Sequence, residues 1–271
     1  MRNQIAIWAL TSFILIGPIF QATATDLPST LLQAHAHNDY EHKRPLLDAL
    51  DHRFGSIEVD IWLVGDGTLL VGHDASQLRP ARTLSALYLQ PLLQHCRQNH
   101  GWVYKPGQTV LLLIDLKTDG NEMYPVLAAE LHKYRELFIP KADRKPAILA
   151  ILSGSRPIEL VAADKTRHCT IDGRLDELPS KATAALVPLV SDNFRNHFRW
   201  RGVGPMPPNE KAKLRSFADA AHAEGRLLRF WATPDVPAVW SELRDAGVDL
   251  IGADDLARLA EFLTSTPAAH R

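Results

Sequence analysis

The sequence predicts an α/β fold, a single (β/α)8 TIM barrel. Eight strand candidates occur along the chain, most of them are followed by a helix, and no linker or change of composition divides them. The length of 271 residues is about what one closed barrel needs. A hydrophobic content of 46% and a charged content of 23% supply an ordinary large core, so one domain accounts for the whole pattern.

The first 24 residues have the pattern of a secretory signal peptide. Arg2 is the only charge in this segment, an apolar run extends from Ile5 to Phe20, and Ala22-Thr23-Ala24 offers small residues for cleavage. We therefore expect residues 1–24 to be removed, residues 25–271 to form the barrel, and the mature protein to be periplasmic or secreted. The alternative is a retained membrane anchor, because the apolar run is close to the shortest length that spans a bilayer.

The first third of the barrel carries most of its acids and histidines. Leu31 to Ala36 is predicted to be a short strand, and Pro45 to His52 a helix with its leucines on one face. Ser56 to Leu63 alternates branched apolar residues with polar ones, so its two acids share one face of a strand. A Gly-Asp-Gly turn returns the chain through Thr68 to Val71 as a hairpin, and Thr83 to Gln98 is the next helix.

The remaining chain keeps alternating strands with helices. Thr109 to Leu116 is a continuous apolar run, as expected for a parallel strand that is buried on both faces. Gly225 and Gly247 each end an amphipathic helix pattern. The further predicted elements are helix Glu122–Leu137, strand Pro146–Leu152, helix Ile158–Ala163, strands Cys169–Asp172 and Leu186–Ser191, helix Glu210–Glu224, strand Leu227–Trp231, helix Val236–Ala246, strand Val248–Gly252 and helix Asp255–Leu263.

One long irregular segment, Asn193 to Asn209, interrupts this alternation. It contains Phe194, Phe198, Trp200 and Met206, which can either face lipid or cap the barrel. Transient contact with a membrane surface is therefore among the expected interactions. A net charge of −1 and singly scattered Lys and Arg argue against a nucleic-acid-binding face, and we expect a monomer.

The chain contains two cysteines, Cys96 and Cys169. Their spacing fits no metal-binding motif. They could pair in an oxidising compartment, but their distance in sequence favours two independent buried thiols.

Polar side chains recur where the predicted strands end. In a TIM barrel the carboxyl ends of the strands form one face, which carries the active site. The residues at or just after these ends are His35, His37, Glu58, Asp60, Asp115, Lys117, Ser153, Asp172, Ser191 and Trp231. We therefore expect them to converge on a single site.

Glu58, Asp60 and Asp115 come from neighbouring strands of this barrel. Carboxylates crowd together only when a cation neutralises them, and oxygen ligands without cysteine favour Mg²⁺ or Ca²⁺ over zinc. The nearby histidines are then available for proton transfer, and Lys117 adds a fixed positive charge. A cation, histidines and a lysine around one cleft fit phosphoryl transfer, in which negative charge develops and must be stabilised.

The motifs resemble the glycerophosphodiester phosphodiesterase family and its PI-PLC-like relatives. The matching features are the first-strand histidine, E-V-D, the D-G hairpin, H-D, and the late segments RFWATPD and GVDLIGADD. LLLIDLKTD looks like the D-L-K-T segment of sphingomyelinase D-type phospholipases. HAHNDY together with LRFWATPD looks closest to the GDPD-like branch that includes fungal mitochondrial-inheritance proteins. The resemblance covers the whole mature chain and implies a TIM barrel.

The resemblance implies an ion with its ligands, a substrate class and an acid/base pair. One divalent ion, Mg²⁺ or Ca²⁺, would lie on Glu58, Asp60 and Asp115, and the substrate would be a small or lipid phosphodiester. A neighbouring hydroxyl of the substrate often attacks the phosphorus in these relatives and gives a cyclic phosphate. By the resemblance, His73 and one of His35 and His37 form the acid/base pair. The positions of the other residues add Lys117 to the catalytic candidates and make Asn38, Asp39, Ser153 and Trp231 the candidates for substrate binding.

Three assignments stay open at this point. The usual H-R pair of the phosphodiesterases is absent, so either His35 or His37 can pair with His73, and the strand position favours His35. Asp115 stands where the phosphodiesterases carry Glu, which favours the phospholipase D-like arm. Asn38 and Asp39 can equally form an Asx turn.

Two other functions compete with a phosphodiesterase. A zinc amidohydrolase barrel also begins with H-x-H, but it needs histidines at the ends of strands five and six, where this chain has Thr170-Ile171-Asp172 and Leu189-Val190-Ser191. A barrel that binds a phosphorylated ligand without catalysis is the second competitor. The complete set of acids and histidines favours an enzyme over this second competitor.

Overall fold

Eight parallel strands and one antiparallel strand form the sheet of the computed structural model, which describes residues 29–140 and 145–265. The predicted signal peptide, residues 1–24, lies outside the described residues. The strands are β1 Leu31–Ala36, β2 Phe54–Leu63, β3 Leu69–Val71, β4 Val110–Leu116, β5 Ile148–Gly154, β6 Cys169–Gly173, β7 Leu189–Asn193, β8 Leu227–Trp231 and β9 Ile251–Ala253.

The strands follow one another around a nearly closed barrel. Their order is β8-β7-β6-β5-β4-β2-β1-β9, and β3 is a hairpin strand that pairs antiparallel with β2. A bridge between Arg229 on β8 and Leu250, just before β9, joins the two edges. The architecture confirms the predicted TIM barrel.

Helices follow most of the strands. They are α1 Leu47–Asp51, α2 Gln90–Gln98, α3 Gly120–Lys133, α4 Ile158–Ala163, α5 Phe194–His197, α6 Pro208–Ala223, α7 Pro237–Ala246 and α8 Leu256–Ser265. None of the helices within residues 29–140 and 145–265 combines the length and apolar character that crossing a bilayer requires.

Several boundaries differ from prediction for local reasons. The helix predicted from Glu122 begins at Gly120, because the Asp119 carboxylate accepts hydrogen bonds from the amides of Asn121 and Glu122. Position 120 requires glycine, since a Cβ there would overlap the carbonyl oxygen of Ser155. The helix predicted to begin at Thr83 starts with a π-helical stretch over Ser85–Leu89.

Two strands are shifted toward the carboxyl end of the barrel. β7 begins at Leu189 rather than Leu186, because the amides of Leu186 and Val187 close a turn onto the carbonyl of Thr183. β9 begins at Ile251 rather than Val248, whose amide is bonded to the end of α7. The strands therefore extend closer to the site than the sequence pattern indicated.

The inside of the barrel has an apolar floor and a polar top. A small apolar cluster, made by Leu111, Leu113, Ile151, Leu189 and Leu250, fills the lower interior. Because side chains alternate along a strand, Asp115 on β4 and Ser153 on β5 point inward directly above this cluster. The main apolar core lies between the strands and the surrounding helices.

The large apolar side chains of the segment from Asn193 to Asn209 pack into the main core beside β8. Phe194, Phe198, Trp200 and Met206 are each at most 8% exposed, and the two phenylalanines make edge-to-face contacts with Phe230 of β8. These four side chains are therefore not available to a lipid surface. Cys96 and Cys169 are also buried, and no disulfide joins them.

Candidate active site

Three carboxylates lie together at the carboxyl ends of β2 and β4. Asp60 and Asp115 are register partners on these strands, and Glu58 lies one pleat below Asp60 on the same inward face. One oxygen from each carboxylate lies within 4.8 Å of the others. We call these three residues the carboxylate half of the site.

A glycine at the end of β5 permits this arrangement. Gly154 has φ +70°, and a Cβ there would overlap Asp115 Oδ1 and lie 2.6 Å from the carbonyl oxygen of Leu116. Only glycine adopts this backbone without strain and leaves the space that Asp115 occupies.

Two fixed cations neutralise part of the carboxylate half. Lys117 Nζ lies 2.8 Å from Asp60 Oδ2 and 3.3 Å from Asp115 Oδ1, and Arg229 Nη2 lies 2.7 Å from Glu58 Oε2. Burial alone would raise the pKa of Glu58, but Arg229 and His35 hold that pKa well below its usual range. Burial raises the pKa of Asp115, and the charges of Asp60 and Glu58 raise it further against the opposing effect of Lys117.

The carboxylate half fits a divalent ion. Asp60 Oδ2 has three neighbours, whereas Asp60 Oδ1 is buried and accepts no hydrogen bond within the described residues. A buried carboxylate oxygen without a partner is costly unless a cation binds it. A site with three carboxylates and no cysteine among its ligands suits Mg²⁺ or Ca²⁺. Across residues 29–140 and 145–265, this is the one group of three or more such residues that could hold an ion.

His35 is buried beneath the carboxylates and does not reach the cleft. Its Nε2 donates to Glu58 Oε2 at 3.0 Å, and its Nδ1 accepts from the hydroxyl of Ser56 at 2.7 Å. Burial, reinforced by the charge of Arg229, lowers its pKa to about 4, so the ring is neutral near pH 7. His35 therefore holds Glu58 in place.

His37 and His73 both line the cleft, and each is bonded to a carboxylate. His37 Nδ1 donates to Asp254 Oδ1 at 2.7 Å, and His73 Nδ1 donates to Asp60 Oδ2 at 3.0 Å. These bonds leave Nε2 of each ring for a ligand. Burial opposes protonation of His37, but Asp254 and Glu58 outweigh it and raise the pKa of His37.

The loop after β1 sends neighbouring residues in different directions. Asn38 adopts a left-handed conformation with φ 47° and lines the cleft, and the hydroxyl of Tyr40 donates to Asp60 Oδ2 at 2.7 Å. Asp39 is fully buried and accepts from the hydroxyl of Tyr88 at 2.8 Å and from the amide of Leu46. The prediction that Asp39 contacts substrate therefore does not fit its position, since the carboxylate fastens the loop to the core.

The other half of the site is built on β5 to β8. Asp172 is fully buried and accepts hydrogen bonds from Ser153, Ser191 and Arg174 at 2.7–2.8 Å. The guanidinium of Arg174 lies over the ring of Trp231, with its carbon 5.1 Å from the ring centroid. We call Ser153, Asp172, Arg174 and Trp231 the arginine half of the site.

The two halves enclose a cleft of about 200 Å³. Its lining residues are His37, Asn38, Glu58, His73, Asp115, Lys117, Ser153, Arg174, Arg229 and Trp231. Five of the residues that the sequence predicted for the site do not line this cleft, and each of them bonds to a neighbouring part of the structure: His35, Asp39, Asp60, Asp172 and Ser191. The structure thus brings the remaining predicted residues around one space.

Sequence reasoning missed Tyr40, Arg174, Arg229 and Asp254. Arg229 is a lone charge inside the apolar strand LLRFW, two residues before Trp231, and that spacing puts both on one face. Arg174 follows Asp172 at the same spacing. These two signals could have identified the arginines, whereas nothing local indicated the bond between Asp254 and His37.

Comparison with known proteins agrees with this geometry. The model of the AIM6-like phosphodiesterase domain matches residues 26–172, which is more than half of the chain. The chain belongs to this family. A curated relative, Altered inheritance of mitochondria protein 6 of Eremothecium gossypii, is 29% identical over 276 residues, covering 88% of this chain and 70% of the relative. The family confirms the resemblance to GDPD-like phosphodiesterases, while the D-L-K-T likeness to sphingomyelinase D stays a prediction.

Solved structures share the barrel of this AIM6-like phosphodiesterase domain. A glycerophosphodiester phosphodiesterase from Parabacteroides distasonis has a TM-score of 0.54 and 13% identity, over 88% of this chain and 99% of the other. A calcium-dependent phosphoinositol-specific phospholipase C from Pseudomonas sp. has a TM-score of 0.56 and 13% identity, over 89% of this chain and 94% of the other. At this identity the likeness establishes a common fold.

Proposed function

We propose that this chain is a metal-dependent phosphodiester hydrolase acting on glycerophosphodiesters or (lyso)phospholipids. The observation that carries the proposal is one cleft in which the carboxylate half meets two carboxylate-bonded histidines. Such carboxylates can hold a divalent ion. Such histidines can take a proton from the attacking hydroxyl and give one to the leaving oxygen of a phosphodiester. The phosphodiesterase-type family and barrel support this reaction class.

In this proposal Glu58, Asp60 and Asp115 hold Mg²⁺ or Ca²⁺, and the calcium dependence named for the Pseudomonas phospholipase supports such an ion. The bound ion supplies positive charge that stabilises the negative charge developing on the phosphoryl oxygens. Lys117 is bonded to two of the same carboxylates, which places a second positive charge beside the phosphoryl group.

In this proposal His73 is the general base and His37 is the general acid. Nδ1 of His73 donates to Asp60, so its Nε2 lone pair can take the proton of the attacking hydroxyl, from a neighbouring substrate group or from water. His37 has a raised pKa and can give its Nε2 proton to the departing alcohol oxygen. His35 acts indirectly, by orienting Glu58.

The remaining expectations about the chain enter the proposal as well. The N-terminal pattern supports export with cleavage after Ala24, to the periplasm or the medium. Mass analysis of the mature N-terminus tests this. We further propose a monomer that touches a membrane surface only transiently, which light scattering and vesicle sedimentation can check.

Hydrolysis of three substrate types tests the proposal directly. Bis(p-nitrophenyl) phosphate, glycerophosphodiesters and lysophospholipids would each be assayed with Mg²⁺, Ca²⁺ or EDTA. We expect turnover that is abolished by EDTA and restored by one of the two ions. Turnover that survives chelation would contradict the metal role of the carboxylate half. Binding of a phosphorylated ligand without any turnover would instead support the non-catalytic barrel.

A further inference from the structure

The arginine half of the site is organised by a carboxylate with no capacity left for an ion. Asp172 Oδ1 accepts from Ser191 Oγ at 2.7 Å, and Asp172 Oδ2 accepts from Ser153 Oγ and from Arg174 Nη1, both at 2.8 Å. Asp172 is fully buried between β5 and β7. A buried charge held by three donors is a rigid anchor, so it fixes the position of Arg174.

Arg174 keeps unused donors on the side that faces the cleft. Nη1 is occupied by Asp172 and by the carbonyl of Gly173 at 2.9 Å, whereas the one contact of Nη2 within the described part of the chain is with Ser153 Oγ at 3.4 Å. The side chain is 21% exposed, and it lines the cleft together with Ser153 and Trp231. A fixed guanidinium edge with spare N–H groups selects ligands that present acceptor oxygens.

Trp231 would otherwise be the natural contact for a quaternary ammonium group. Such groups bind over aromatic rings, because the ring face is electronegative. Here the guanidinium of Arg174 already lies over the ring at 5.1 Å. A second cation on this side could not contact the ring face, and the positive charge of Arg174 would repel it.

We propose that Arg174 and Trp231 form a headgroup subsite that binds hydroxyl or anionic oxygens and excludes quaternary ammonium groups. The inference rests on the proposed function, since the headgroup is the alcohol esterified to the phosphate at the carboxylate half. The shared chemistry of its ligands is an acceptor oxygen near the ester, from either a neutral polyol or a carboxylate. The subsite therefore narrows the substrate class to phosphodiesters without a choline-type headgroup.

Binding of phosphate monoesters tests the subsite without requiring turnover. Calorimetry on the full chain with saturating Mg²⁺ or Ca²⁺ would compare glycerol phosphate, phosphoglycerate, phosphocholine and 3,3-dimethylbutyl phosphate, the uncharged isostere of phosphocholine. We expect glycerol phosphate to bind at least about tenfold more tightly than phosphocholine, and the isostere to lie between them. The comparison of glycerol phosphate with phosphoglycerate distinguishes a polyol from an anionic headgroup.

Variants assign the preference to Arg174. Arg174→Gln leaves Asp172 as an uncompensated buried charge, so the double substitution Asp172→Asn with Arg174→Gln removes both charges and keeps the fold testable. We expect the ratio between glycerol phosphate and phosphocholine to fall to about two- to threefold in the double variant. Arg195→Gln, at an exposed arginine in the short helix α5 after β7, is the control and should keep the ratio.

Two results would overturn the subsite. They are equal or tighter binding of phosphocholine by the unsubstituted protein, or a ratio that survives in the double variant. Bis(p-nitrophenyl) phosphate has neither type of headgroup, so its turnover reports on the proposed function alone. Lack of that turnover, together with the expected binding ratio, would refute the hydrolase and retain the subsite.

Discussion

The two halves of the cleft treat buried carboxylates in opposite ways. In the arginine half, both oxygens of Asp172 are saturated by hydroxyls and by Arg174. In the carboxylate half, Asp60 Oδ1 is buried and has no hydrogen-bond partner among the residues that the structure describes, although Lys117 and Arg229 bind other oxygens of this half. A saturated carboxylate is a structural anchor, while an unsaturated one beside two others has capacity for a ligand. Asp172 therefore stabilises the structure, whereas Asp60 has an oxygen that can bind a ligand.

The largest expected effect comes from breaking the carboxylate half. Asp60→Asn should lower kcat/KM by about 10³- to 10⁴-fold, because it removes a ligand charge and the acceptor that orients His73. Calorimetric titration with Mg²⁺ and Ca²⁺ should show weaker binding of the ion as well. Asp219→Asn, on the exposed face of α6, is the matched control and should change neither quantity. Retention of activity and ion binding in Asp60→Asn would remove it from the site.

Disrupting the arginine half should lower the stability of the fold and leave ion binding unchanged. Asp172→Ala should lower the free energy of unfolding by about 3 to 4 kcal/mol, because it leaves Arg174 and two hydroxyls without their buried acceptor. Affinity for the ion should stay the same in the folded fraction. Urea unfolding measures the first quantity and calorimetry the second. A loss of ion binding without a loss of stability would erase the distinction between the halves.

Asp39 sharpens the comparison because, within residues 29–140 and 145–265, its buried Oδ1 also accepts no hydrogen bond, but Asp39 belongs to no group of three residues there that could hold an ion. Burial raises its pKa to about 6, so the carboxyl group of Asp39 holds a proton below about that pH. The folded chain keeps this proton between about pH 4 and 6 while the unfolded chain releases it, so stability falls as pH rises through that window.

The expected contribution of Asp39 is about 2 to 3 kcal/mol in the free energy of unfolding between pH 4 and pH 7. Urea unfolding of the unsubstituted chain and of Asp39→Asn would be compared across this range, with and without Mg²⁺. The difference between the two proteins should vary with pH and be independent of the ion. A difference that follows Mg²⁺ instead of pH would place Asp39 in the carboxylate half.

The smallest expected effect concerns the proton on His37. The acid must be protonated, so activity should be lost as pH rises through the pKa of His37, which Asp254 helps to raise. Asp254→Asn should move the alkaline limb of kcat/KM to lower pH and reduce activity about tenfold on that limb, with little change at acidic pH. An unchanged alkaline limb would assign the acid to another group.

The meeting of the three residues of the carboxylate half was predictable from sequence. The alternation around Glu58 and Asp60 and the apolar run before Asp115 predicted their meeting, because parallel strands bring their carboxyl ends to one face. Burial depth was not predictable. His35 and His37 are two residues apart, so an extended chain would turn both side chains to the same face, yet one lies under Glu58 and the other opens to the cleft. Tertiary contacts across β1, β2 and β9 decide this, and no local pattern encodes them.

The aromatic residues after β7 show a second limit. Phe194 and Phe198 are apolar in a segment without regular pattern, so sequence left lipid contact and barrel capping equally open. Their contacts with Phe230 on β8 settle where the two rings lie. Pairing between segments more than 30 residues apart depends on the closed sheet rather than on either segment.

Gly154 gives the carboxylate half a signature that can be read from a single position. Any side chain there would collide with Asp115 and with the backbone of β4. A library of this gene randomised at position 154 and selected for phosphodiester hydrolysis should therefore return glycine almost alone, while selection for folding would admit residues that tolerate a displaced Asp115. Among barrels of related sequence, a glycine at this position therefore indicates that Asp115 can stay in place, and any other residue indicates that the three-carboxylate site is lost.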